Sequence, residues 1–196
     1  MTPDAVYAMT TTETDLAGNE SSVSPSLSVT IDTTGDAATG TPNMTAGTDT
    51  GISATDNITS DTTPDFSITC VAGSTVTLYD GVTAIGSGTC GAGTITITAS
   101  TLSEGTYPTI NALQTDTAGN VSVASGNLSV TIDTTAPSTP VTVPDLQAAS
   151  DTGTSTTDNN TSDTTPTFDV SCSAIANIIT VRVNGIARTN HTCTTI

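Results

Sequence analysis

Lysine is absent from this sequence, and its two cationic side chains are Arg182 and Arg188. Tryptophan is absent too, and the aromatic complement is two Phe and three Tyr. Against this stand 19 acidic residues, which leave a formal net charge of −17. A surface of that charge repels nucleic acid and anionic membrane, so neither is an expected partner. No apolar run approaches the roughly 20 residues of a membrane-spanning helix, so no membrane insertion is expected. Met1 is followed by Thr2, Pro3 and Asp4, without the basic and apolar regions of a secretion signal. The single histidine is His191. With no lysine, nothing stands ready to hold phosphate or to build an oxyanion site, so an enzyme is not expected. So few aromatics also make a stacking platform for glycans a weak reading.

What the chain does have is Thr, Ser, Gly, Asp, Asn and Pro. Thr and Val suit a pleated, half-buried surface, and the others suit turns. Runs such as Leu128-Ser129-Val130-Thr131-Ile132 alternate apolar and polar, which puts one face inward. Such runs separate this chain from a disordered acidic tail. The fold class expected is therefore all-β.

The chain also repeats itself. Thr14-Asp15-Leu16-Ala17-Gly18-Asn19 returns as Thr115-Asp116-Thr117-Ala118-Gly119-Asn120, 101 residues later. Leu27 through Thr34 returns at Leu128 through Thr135 with one spacing, 101. Asp49-Thr50-Gly51, Asp56-Asn57 and Thr59 through Pro64 return 102 residues on, as Asp151-Thr152-Gly153, Asp158-Asn159 and Thr161 through Pro166. A period near 100 residues is too long for a solenoid unit and fits immunoglobulin-like β-sandwich repeats in tandem. Strands are expected near 64–70, 75–80, 82–86, 92–99, 106–115 and 127–133. Asp80-Gly81 and Asn184-Gly185 are expected to close hairpins through type I′ turns.

The Pro- and Thr-rich segment after Asp133 is a stiff linker, because proline restricts both itself and the residue before it. The segment 32–42 matches it. The boundaries that follow are 1–36 for the end of one repeat, 37–136 for a complete repeat and 137–196 for the start of another. A half sandwich exposes core and strand edges. Two assemblies fit this phase: a segment of a longer array, or copies joined head to tail by complementing half-domains.

Cys70 and Cys90 stand 20 residues apart, and Cys172 and Cys193 stand 21 apart. Without a CxxC or a zinc-type cluster, the reading is two disulfides, Cys70–Cys90 and Cys172–Cys193, and an oxidising compartment. Buried reduced thiols are the alternative. A redox role has no support, since no neighbouring cation lowers a thiol pKa. Sequons at Asn43, Asn57, Asn120, Asn127, Asn159 and Asn190 arise readily in a chain this rich in Asn, Ser and Thr.

The ordered motifs at 115–120, 128–137 and 150–168, each with a partner earlier in the chain, resemble the bacterial immunoglobulin-like repeats of giant surface and biofilm adhesins. The resemblance covers nearly the whole chain, although the cysteine pairs are not a usual part of that pattern. It implies an extracellular, rod-like stalk or spacer whose partners are neighbouring repeats of the same chain or identical subunits. Host or matrix receptors would be met by other segments. It also implies calcium at the interdomain junctions.

Calcium has an argument of its own here. Ca2+ takes six to eight hard oxygen ligands, and loop Asp and Asn recur in both repeats. The candidates at the first junction are Asp15, Asn19, Asp32, Asp49, Asp56 and Asn57. At the second they are Asp116, Asn120, Asp133, Asp151, Asp158 and Asn159. The grouping supposes that the loop before the last strand, the start of the linker and the first loop of the next domain meet at one place. The other reading of these residues is that they only make turns, since Asx side chains bond their own backbone.

Overall fold

The Thr-rich alternating runs become strands, and among the described residues no helix forms. The computed structural model describes residues 1, 4–140 and 142–194. It divides into two units, Met1–Thr134 and Thr135–Ile196.

In the first unit β1 (Ala5–Met9) and β2 (Leu27–Ile31) form an antiparallel pair, with Ala5 opposite Ile31 and Met9 opposite Leu27. The remaining strands are β3 (Asn43–Met44), β4 (Ile58–Thr59), β5 (Asp65–Thr69), β6 (Thr75–Asp80), β7 (Thr83–Thr89), β8 (Thr94–Thr98), β9 (Gly105–Thr115) and β10 (Leu128–Ile132). They form a five-stranded sheet, β4-β10-β9-β6-β7, and a three-stranded sheet, β3-β5-β8. This is the two-sheet sandwich of an immunoglobulin-like domain.

Its core is the inward face of the alternating runs: Phe66 and Ile68 of β5, Val76 and Leu78 of β6, Ile110 and Ala112 of β9, Val130 and Ile132 of β10. Every one of these is essentially fully buried. Side chains at i and i+2 share a face, so each strand contributes two. Pro108 lies inside β9, where it cannot donate to a ladder. It falls where the pairing with β10 shifts, from Leu128 opposite Ile110 to Val130 opposite Tyr107. A bulge is one of the few places in a sheet that tolerate proline.

Six of these strands match the expected positions closely. The two-residue strands β3 and β4 escape sequence reading because they are too short to show alternation. The hairpin turns differ in type. Asn184 and Gly185 both have positive φ, as a type I′ turn requires. In the β6–β7 hairpin the turn residues are Gly81 and Val82, and of the two only Gly81 has positive φ. Glycine at the first central position is the type II′ arrangement. The one-residue offset of the glycine decides this, because valine resists positive φ.

In the second unit β11 (Asp145–Leu146) pairs with β12 (Phe168–Asp169), and β13 (Ile178–Val183) pairs with β14 (Ile186–Thr192). A recess of about 550 Å³ lies between them, lined by Pro166, Phe168, Val170, Cys172, Ile179 and Cys193 among others. Phe168 is 44% exposed, whereas Phe66, 102 residues earlier, is 0% exposed.

Candidate metal centre at the repeat ends

Residues 45–63, a loop segment that includes the two-residue strand β4, are held by main-chain bonds and by many bonds from Thr, Ser and Asp side chains. The Asp49 N–H donates to the Thr45 carbonyl at 2.9 Å. Thr59 Oγ1 donates to the Thr48 carbonyl and accepts from the N–H groups of Thr50 at 3.2 Å and Asp61 at 3.0 Å. Asp56 Oδ1 accepts from the Ile58 N–H at 3.1 Å. Asn57 has φ of 60°, a left-handed conformation that asparagine tolerates better than most residues. That conformation aims its N–H at Asp49 Oδ2, 3.1 Å away.

The same loop recurs in the second unit. Asn159, with φ of 57°, donates its N–H to Asp151 Oδ2 at 3.1 Å. Thr161 Oγ1 bonds the Ser150 carbonyl and accepts from Asp163 N–H at 2.9 Å. Asp158 Oδ1 accepts from Asn160 N–H at 3.1 Å. Hydrogen bonds from the Thr165 main chain and from Ser150, together with the Thr165 hydroxyl, hold the Asp163 carboxyl below the usual 3.8.

Asp49 is 2% exposed and Asp151 is 1% exposed. In both, Oδ1 is buried and accepts no hydrogen bond. A buried carboxylate oxygen without a partner is costly, and the cost is met by a donor or by a cation. A hard divalent ion fits that need. Among the described residues no group of three or more His, Cys, Asp and Glu side chains converges. An ion at Asp49 or Asp151 would therefore combine the carboxylate with hydroxyl and carbonyl oxygens, which Ca2+ accepts as ligands.

The other Asx loop, found at 15–19 and 116–120, is self-contained. Asp15 Oδ1 accepts from the N–H groups of Ala17 and Asn19, and Oδ2 accepts from Asn19 Nδ2, all at 2.9 Å. Asp116 does the same with Ala118 and Asn120. The side-chain amide of Asn19 lowers the Asp15 pKa, and that of Asn120 lowers the Asp116 pKa, with main-chain donors adding to each. Near Asp32, Asp4 accepts from the Thr33 N–H and the Thr33 and Thr34 hydroxyls, and the Thr33 N–H is the main cause of its lowered pKa.

The structure does not gather the first-junction residues into one place. Asp32 follows the end of β2 that pairs with Ala5, while Asp15 and Asn19 lie beyond the opposite end, at Met9. An antiparallel partner sends the loop before a strand and the linker after it to opposite ends. Asp32 meets Asn120 instead, whose Nδ2 donates to the Asp32 carbonyl at 3.2 Å. Asp49, Asp56 and Asn57 lie at the far end of the central repeat with Asp133. There the Asn57 and Thr59 carbonyls accept from the N–H groups of Thr131 and Asp133, each at 2.9 Å. The eleven residues of β9 separate that end from Asp116 by about 30 Å. Of the second-junction residues, Asp116, Asn120 and Asp133 belong to the first unit and Asp151, Asp158 and Asn159 to the second.

Two disulfides join Cys70 to Cys90 and Cys172 to Cys193, with Cα atoms 6.1 and 6.0 Å apart. Each bridges two strands' ends inside one repeat. His191 sits on β14, exposed.

The family profile described as "Bacterial Ig-like domain" matches residues 36–134 and again 137–195. The chain belongs to the bacterial Ig-like domain family. A solved structure titled "Biofilm associated protein - BSP domain" is similar at 18% identity, over 69% of this chain and 20% of that one, with a TM-score of 0.35. The present chain thus spans about a fifth of that relative's length. A comparison with curated proteins gives no match. Among the described residues, Oδ1 of Asp49 and Oδ1 of Asp151 are the buried side-chain polar atoms without a hydrogen-bond partner.

Proposed function

We propose that this chain is a mechanical segment of an extracellular bacterial adhesin or matrix protein, in which tandem Ig-like repeats give length and calcium gives stiffness. The observation that carries the reading is the unpartnered Oδ1 of Asp49, repeated at Asp151 in the same loop of the next repeat. A cation there ties the 45–63 loop to the end of β10 and so to the linker that leaves the repeat. Two disulfides in 196 residues accord with an oxidising, extracellular setting. The partners are neighbouring repeats, and receptor contacts belong to other segments. Thermal melting in calcium and in EGTA, with magnesium constant, tests the reading. Calcium should raise the melting temperature of the wild type and should not raise that of a D49A/D151A chain. Equal melting curves for the wild type in both buffers would end the calcium part of this reading.

A second reading is an extracellular filament or sheath assembled by complementing half-domains. Leu27 of β2 is 66% exposed and Phe168 of β12 is 44% exposed, and both belong to faces that a sandwich buries. Sedimentation of the 196-residue chain across a concentration series separates the readings. Growth into long oligomers would favour the filament, and a monomer at all concentrations would sink it.

A further inference from the structure

The Cys70–Cys90 bridge encloses a whole hairpin. β6 (Thr75–Asp80) and β7 (Thr83–Thr89) both lie between its two cysteines, which stand 20 residues apart in sequence. The hairpin gives Val76, Leu78 and Ile85 to the core. The other strands of the sandwich, β3, β4, β5, β8, β9 and β10, lie outside the ring. The chain meets this repeat at opposite ends. It enters beside the bridge, where the Gly40 N–H donates to the Thr69 carbonyl at 3.0 Å. It leaves at Asp133, whose N–H donates to the Thr59 carbonyl at 2.9 Å. β9 spans the distance between them, pairing with the start of β6 at Thr115 and with the end of β10 at Gly105. β10 also runs parallel to β4, with Thr131 opposite Ile58 and Ile132 opposite Thr59. A pull on the two ends of the repeat draws this parallel pair past each other, so its bonds share the force and resist together.

We propose that the bridge is a force-gated length stop, an inference that rests on the reading of this chain as a mechanical segment. A repeat under tension opens in two stages. In the first, the strands outside the ring extend, and the tension crosses from Cys70 to Cys90 through the sulfur–sulfur bond. β6 and β7 carry no tension, because their ends are held at the 6.1 Å between the two Cα atoms. The second stage needs a dithiol. In the closed repeat Cys90 is 1% exposed and Cys70 packs against the core, so the bridge is sheltered from thiols. Once the outer strands leave, a thiolate of the dithiol attacks one sulfur and the other departs as a cysteine thiolate. The second thiol resolves the mixed disulfide, so two electrons and two protons pass to the cysteines and the dithiol becomes a disulfide. The freed ring of 20 residues then adds about 60 Å of chain. The second unit is built alike: β13 and β14 lie between Cys172 and Cys193, and Cys193 is 4% exposed.

Extension of the full chain at constant force, held by peptide tags at its two ends in a fixed calcium concentration, tests the stop. Without reductant the wild type should open and halt. With dithiothreitol present, further steps of about 60 Å should follow opening and never precede it. Their rate should rise in proportion to the dithiothreitol concentration. The C172A/C193A chain should keep one such step, which assigns it to the central repeat. A chain with all four cysteines replaced by alanine should reach the longer extension in one stage in either buffer. The wild type carries the test by itself if either variant fails to fold. A wild type that gains no length in dithiothreitol, or gains it before the repeat opens, would overturn the stop and leave the stalk reading standing. Two stages in the stated order, at forces no larger than those that straighten an unstructured chain, would support the stop while removing the stalk reading.

Discussion

The N–H of Asn57 donates to Oδ2 of Asp49 at 3.1 Å, and the other oxygen of that carboxylate lies buried with nothing to accept from. Asn159 and Asp151 repeat the relationship at the same distance, 3.1 Å. This duplication makes the two loops separable by mutation. In calcium, Asp49→Asn should lower the melting of the first unit and leave that of the second, and Asp151→Asn should do the reverse. At calcium a hundredfold above Kd the loss is about 2.7 kcal/mol. Hydrogen exchange in each loop, with and without calcium, assigns the change to its unit.

Phe66 and Phe168 occupy one motif position with different burial. Phe66→Ala should cost about 3–5 kcal/mol, because it empties a fully enclosed core site. Phe168→Ala should cost well under half of that, since its ring is already 44% exposed. Urea unfolding midpoints of the two variants measure the difference. Equal costs would mean that the second unit buries Phe168 in solution, as a neighbouring strand pair would do.

The Cys70–Cys90 bridge closes a loop of about 20 residues. Replacing both by alanine should lower stability by roughly 3 kcal/mol in the loop-entropy view. Cys90 is 1% exposed, so the native bridge should resist mild reductant until the repeat opens. Rates of thiol labelling under reductant, compared with unfolding rates, check this.

Asp116 ionises below the usual 3.8, chiefly because the Asn120 amide bonds its charged form. Just below 3.8 the unfolded chain takes up a proton that the folded chain still refuses. The stabilisation is thus complete above that value and is lost as pH falls through the lower folded value. An NMR titration of the Asp116 carboxyl should show the lowered midpoint, and Asn120→Ala should return it toward 3.8. Asp15 should behave alike through Asn19.

Much of the fold is legible without coordinates. The alternation at Leu128, Val130 and Ile132 places three side chains on one face, and all three pack into or against the core. The spacing of the cysteines marks the pairs that are joined. The Asp49 and Asp151 loops are also local matters. Their turns close through bonds between residues a few positions apart, so they form alike in a complete repeat and in a half-covered one. What could not be read is which loops share an end. Asp15 and Asp32 look adjacent in a repeat map, yet they terminate opposite ends of an antiparallel pair.

By itself, then, the amino-acid sequence determined the six longer strands of the central repeat, the repeat, the cysteine pairs and the Asx turns, because each depends on side-chain period or on short-range hydrogen bonds. Only the tertiary structure decided that Asp32 meets Asn120 rather than Asp15, that Asp49 is buried with one oxygen unsatisfied, and that Phe66 is enclosed where Phe168 is open. Those outcomes depend on strand direction and on the presence of a facing sheet, and neither is a property of any local stretch of chain.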